Sequence, residues 1–141
     1  MKKTASVEWK GGLKDGKGSI TTETGVLRDA PYGFRSRFED GPGTNPEELL
    51  AAAHAACFSM ALSLMLGQAN LTADYIRTKA EVTLDKVGDG FAITSSHLIV
   101  NAKVPGADAA TFDSIANQAK AGCPLSKVIN AKITMDATLD S

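Results

Sequence analysis

The chain has 141 residues, 15 of them basic and 16 acidic, with a formal net charge of −1. It is long enough to bury a core without staples, so one domain over residues 1–141 is expected. No basic run extends beyond Lys2-Lys3, so the electrostatic footprint of a nucleic-acid binder is missing and no such partner is expected. The opening TASVEWKGG has neither the apolar stretch nor the small-residue cleavage site of a secretory leader, so a cytoplasmic protein is expected. In that compartment its two cysteines stay reduced or cycle.

The N-terminal third reads as three antiparallel strands: ASVEWKG, the β-branched KGSITTET, and YGFRSRF, which alternates Phe34, Ser36 and Phe38 against Arg35 and Arg37. EDGPGT is a turn. A helix then starts with Asn45 as N-cap, Pro46 at the first position and Glu47 and Glu48 at the positive end of the dipole, and it ends near Gly67. YIRTKAEVTLDKV and FAITSSHLIVNAKV flank Gly88-Asp89-Gly90 and predict a hairpin. Asp108 caps a second helix that Gly122 stops, Cys123-Pro124 opens a short turn with the thiol as its N-cap, and AKITMDATL is a last strand. The order predicts an α+β fold with helices gathered on antiparallel sheet.

The stretch from Leu49 to Leu66 carries no formal charge and reaches the lower edge of a membrane span. His54, Ser59 and Ser63 interrupt it, alanine dominates it and no basic anchor flanks it, so no membrane is expected. A rod of about 20 apolar residues is about 30 Å long, more than one subunit of this size covers well, and a homodimer with helix near helix is the economical solution.

Cys57 lies within that helix and Cys123 follows 66 residues later. A lone cysteine is ordinarily a small buried hydrophobe. Two thiols so placed suggest redox chemistry instead, but a thiol reacts as thiolate, and at its ordinary pKa of about 8.5 little is ionised at neutral pH. Cys57 lies about 16 Å past Pro46, beyond the reach of the helix dipole, and burial makes a thiol inert. A cation from elsewhere in the fold is therefore required. Arg35 and Arg37 are the candidates, since arginine stays charged when buried and can grip a carboxylate with one side of its fork. Glu47 and Glu48 are the candidate carboxylates, each also explained as a plain complement to the helix dipole. His54, three residues before Cys57, is open as a base, as a zinc ligand with both cysteines and His97, or as a packed histidine, but no Cys-x-x-Cys or His-x-x-x-His pair supports metal.

Asn45-Pro46-Glu47-Glu48-Leu49, Ala55-Ala56-Cys57-Phe58 and Cys123-Pro124-Leu125-Ser126 together resemble the OsmC/Ohr family of thiol peroxidases, and the whole chain is most similar to its osmotically inducible branch, associated with stress response. The resemblance implies antiparallel sheets packed around long central helices in an intertwined homodimer. It implies reduction of organic hydroperoxides with Cys57 as peroxidatic thiol, Cys123 as resolving thiol, Glu47 as the motif carboxylate and Arg37 as the activating arginine. An external dithiol, a dihydrolipoyl group, would regenerate the enzyme without a bound cofactor. Phe38, Phe58 and Met60 are expected to wall the pocket for the organic tail. A non-enzymatic redox sensor or binding protein is the alternative reading of the same thiols.

Overall fold

A computed structural model describes residues Met1–Ser141. The chain divides into two compact units, Met1–Leu49 and Leu50–Ser141. The first unit holds an antiparallel sheet of β1 (Ala5–Lys10), β2 (Lys17–Thr22) and β3 (Ala30–Tyr32), ordered β1-β2-β3. Trp9 and Tyr32 both face Gly18 across this sheet, with ring centroids 5.5 Å apart. Gly18 is required there, because a Cβ would collide with both rings.

The third strand stops earlier than its alternation predicted. Residues Phe34–Phe38 form a short helix, α1, not a strand. The pattern Phe-Arg-Ser-Arg-Phe satisfies period two and an i,i+4 repeat equally, and local hydrogen bonding decides between them. The Ser36 hydroxyl accepts the Gly33 N–H at 2.9 Å and donates to the Gly33 carbonyl at 3.0 Å. One helical turn then stacks Phe34 on Phe38, with ring centroids 5.0 Å apart.

The long helix α2 (Pro46–Gln68) starts as read: Asn45 Oδ1 accepts the Glu48 N–H at 2.8 Å, and Asn45 Nδ2 donates to the Ser36 carbonyl at 2.8 Å, tying α1 to the helix start. Its end is set by Asn70 in the left-handed region (φ 59°), not by Gly67. Leu71 N–H bonds the Leu66 carbonyl and Asn70 N–H the Gly67 carbonyl, a paired C-terminal cap.

In the second unit β4 (Tyr75–Val87) and β5 (Gly90–Lys103) form the expected hairpin, closed by Gly88-Asp89. α3 (Ala109–Gly122) is capped by Asp108, whose carboxylate accepts the Thr111 N–H at 2.7 Å and is held below the usual carboxylate range by that bond. α4 (Pro124–Val128) follows, then β6 (Lys132–Leu139). β6 runs parallel to β5, so the sheet β4-β5-β6 is mixed where an antiparallel one was expected. The connection explains it: two helices lie between β5 and β6, and a helical crossover returns the chain in the same direction. Every fourth residue of α2 from Phe58, namely Phe58, Leu62 and Leu66, is wholly buried against Leu98, Val100 and Ala102 of β5 and Phe112, Ala116 and Ala119 of α3. α2 is thus long and apolar enough to cross a membrane, with mean hydropathy 1.9, yet carries a core-forming face.

Candidate active site

In the first unit, α1 and the start of α2 bring Arg37 to Glu47. Arg37 donates from Nη2 at 2.8 Å and from Nε at 3.2 Å to the same carboxylate oxygen, Oε1. Glu47 is buried, so this is a charge-assisted contact with little solvent to weaken it. The neighbouring acid and base are occupied otherwise. Glu48 accepts from the Thr44 hydroxyl, while Arg35 meets Glu39 at 3.7 Å on the exposed side of α1. Arg37 and Phe38 also line a cavity of about 300 Å³ with Trp9, Leu13, Tyr32 and Phe34. The Arg37 guanidinium sits 5.3 Å from the centre of the Phe38 ring.

In the second unit the two cysteines meet. Cys57 from the middle of α2 is half-buried, Cys123 between α3 and α4 is wholly buried, and both are free thiols close enough for Cys123 to raise the Cys57 pKa. Cys123 caps α4 as expected, its sulfur accepting the Ser126 N–H at 3.3 Å. The preceding amide of the same turn, that of Leu125, lies where it favours the Cys57 thiolate. The Cys57 thiol is nonetheless pushed up from its ordinary pKa, first by burial and then by Cys123, with the Leu125 N–H pulling the other way. No cation is among the groups that act on Cys57, so the activating arginine expected from the sequence is not part of this thiol's surroundings in the second unit.

His54 is a packed, hydrogen-bonded histidine. Its Nδ1 lies 2.7 Å from Ser96 Oγ and its Nε2 2.8 Å from Ser126 Oγ, and burial lowers its pKa so that the ring is neutral. His97 stands elsewhere, on the polar face of the sheet, between Thr134 at 2.6 Å and Asp136 at 3.0 Å. No three histidines, cysteines or carboxylates gather where they could hold a metal. Of the three residues expected to wall a pocket, Phe38 lines the cavity beside Arg37, Phe58 lies in the core of the second unit, and Met60 is 76% exposed on α2.

Ser96 and Ser126 are functional candidates that residue type alone did not reveal. Ser96 shares the parity of Leu98, Val100 and Ala102 on β5, so it is a polar residue on a core face and needs a buried partner. His54 carries the same signal on α2, one helical step before Phe58 in the 58, 62, 66 series.

The OsmC-like protein family matches residues 39–138. Peroxiredoxin OsmC of Escherichia coli (strain K12) is 58% identical over 139 residues, covering 99% of this chain and 97% of that protein. The organic hydroperoxide resistance protein OhrB of Bacillus subtilis (strain 168) is 33% identical over 137 residues, 96% of each chain. The crystal structure of Bacillus subtilis OhrB superposes with a TM-score of 0.74 at 32% identity, over 96% of this chain and 98% of that one. An OsmC-like protein of Vibrio cholerae O1 shares the fold, with a TM-score of 0.77 at 15% identity over 98% and 99% of the two chains. The chain belongs to the OsmC family.

Proposed function

We propose that this protein is a thiol-dependent peroxidase that reduces organic hydroperoxides to alcohols. One observation carries the reading: two cysteines 66 residues apart are close enough to perturb each other, beside a short turn whose Ser126 N–H is accepted by Cys123 and whose Leu125 N–H favours the Cys57 thiolate. Membership of a family that includes a peroxiredoxin and organic hydroperoxide resistance proteins supports it.

In the first step the Cys57 thiolate attacks the terminal peroxide oxygen and the O–O bond breaks. The alkoxide leaves and takes up the proton that the thiol gave up, and Cys57 becomes a sulfenic acid. Arg37 supplies the charge that stabilises both the thiolate and the leaving oxygen, and Glu47 holds its fork through Nε and Nη2, leaving Nη1 for the reacting atoms. Phe38 and its aromatic neighbours receive the organic tail, and Phe58 and Met60 are the further pocket residues of this reading.

In the second step Cys123 attacks the sulfenic acid to give an intramolecular disulfide. An external dithiol of the dihydrolipoyl type opens it, since a dithiol that closes its own ring completes the reduction in one encounter. Such cycling suits a compartment where dithiols are kept reduced, and a cytoplasmic location is part of this reading.

The working form is a homodimer in which the two units act as one domain. Opposite its core face, α2 exposes Ala53, Ala56, Met60, Leu64 and Gly67, a stripe of small and apolar residues suited to a second helix. Turnover of cumene hydroperoxide with dihydrolipoamide tests the reading. Cys57→Ser is expected to abolish it, and retention of turnover in that variant would refute the assignment. A single slow oxidation without recycling in the wild type would instead favour a redox sensor.

A further inference from the structure

We propose that Ser126 and His54 form a buried proton relay that deprotonates Cys123 as it attacks the Cys57 sulfenic acid. The geometry is a continuous chain through the second unit: Cys123 Sγ to Ser126 Oγ at 3.2 Å, and Ser126 Oγ to His54 Nε2 at 2.8 Å, with His54 Nδ1 anchored on Ser96 Oγ at 2.7 Å. Three elements and a link contribute, since His54 stands on α2, Ser96 on β5, Ser126 on α4 and Cys123 on the link between α3 and α4. Packing alone does not account for placing a fully buried histidine on the core face of α2 and two buried serines around it.

The resolving thiol faces a specific difficulty. Cys123 is wholly buried, so solvent base reaches it only slowly, yet it must become a thiolate at the moment of attack. With hydrogen on Nδ1, His54 donates to Ser96 and accepts the Ser126 hydroxyl at Nε2, which leaves Ser126 Oγ to accept the Cys123 S–H. One concerted shift then moves the thiol proton to Ser126 and the Ser126 proton to Nε2. The bond directions reverse: the imidazolium donates to Ser126, and the Cys123 thiolate accepts both the Ser126 hydroxyl and the Ser126 N–H. Its electron pair forms the bond to Cys57 Sγ, the S–O bond of the sulfenic acid breaks, and hydroxide leaves. That hydroxide collects the proton held on His54, returned through Ser126, so the step releases one water and restores a neutral ring. A neutral resting imidazole is what the relay needs, and burial, the one cause acting on His54, keeps it so. The groups facing His54 are Ser96 and Ser126, and the titratable groups along the chain of contacts are Cys123 and Cys57.

The inference rests on the peroxidase reading, and Ser126 and His54 act through Cys123 without touching the peroxide. The test is single-turnover stopped flow with one equivalent of cumene hydroperoxide, following sulfenic acid formation and decay separately between pH 6 and 8. In the wild type, decay is expected to be nearly level above the His54 pKa. In Ser126→Ala, decay at pH 7 is expected to fall about 100-fold and to rise about tenfold per pH unit, as for an unassisted thiol, while sulfenic acid formation is unchanged. His54→Gln should tilt the profile the same way, and Ser126→Thr, which restores the hydroxyl, should level it again. A wild-type rate and a level profile in Ser126→Ala would overturn the relay, as would an equal loss in both steps. Absence of any sulfenic acid in the wild type would overturn the peroxidase reading as well, a separate and recognisable result.

Discussion

Arg37 shows how one side chain is fixed in place by its neighbours. A free guanidinium on a helical turn is only a solvated charge, but Glu47 fixes two of its nitrogens on a buried oxygen and so fixes its plane. Arg37→Met is expected to slow peroxide reduction about 100-fold, the usual cost of losing one preorganised donor to a developing oxyanion. Glu47→Gln is expected to cost less, since it removes orientation but not charge. Both are checked by pseudo-first-order oxidation of Cys57. His54 makes a different prediction. Its folded pKa lies below the ordinary value of about 6.5, so the unfolded chain binds more protons in that region. Stability is therefore complete above about pH 6.5 and falls as pH drops from there through the folded pKa. Denaturant midpoints at pH 7.5 and 5.5 should show a loss in the wild type that is reduced in His54→Gln, even though that variant starts lower by about 1–3 kcal/mol for the disrupted buried bonds.

At the level of elements, the reading from sequence succeeded where a local signal had one interpretation. Asn45-Pro46-Glu47-Glu48 could only start a helix, Gly88-Asp89-Gly90 between alternating runs could only close a hairpin, and Cys123 before Pro124 was available to cap a turn. It failed where two interpretations fitted. Phe34, Ser36 and Phe38 fit either period, and the Ser36–Gly33 hydrogen bonds chose the helix. The direction of β6 depended on how α3 and α4 return the chain, which no local pattern in AKITMDATL records. The Arg37–Glu47 choice over Arg35 and Glu48 likewise follows from the helical turn, which sends Arg35 towards Glu39. Asn45 links these elements by capping α2 and holding α1 through the Ser36 carbonyl. Asn45→Ala should cost about 1 kcal/mol, or about 3 °C in Tm by calorimetry, and should also lower activity by loosening Arg37.

For the molecule as a whole, the central helix presents two faces of different use. One, with Phe58, Leu62 and Leu66, is consumed by the core of the second unit, and truncating Leu62 to Ala is expected to cost about 2–5 kcal/mol. The other leaves Met60 76% and Leu64 63% exposed, the surface that the proposed homodimer would cover. Met60→Arg should convert a micromolar dimer into monomer by light scattering, because the charge would have to be buried against an identical helix. Within its own unit Cys57 is pushed up by burial, pulled down by the Leu125 N–H and pushed up by Cys123, a net rise, and the proposed activation by Arg37 has to outweigh it.

Thiolate absorbance at 240 nm, titrated against pH in the Cys123→Ser background with and without Arg37→Met, tests that activation most directly. Cys57 is expected to ionise below the ordinary thiol range of about 8.5 when Arg37 is present and above it when Arg37 is lost. Identical titrations in the two proteins, both above that range, would contradict activation by Arg37.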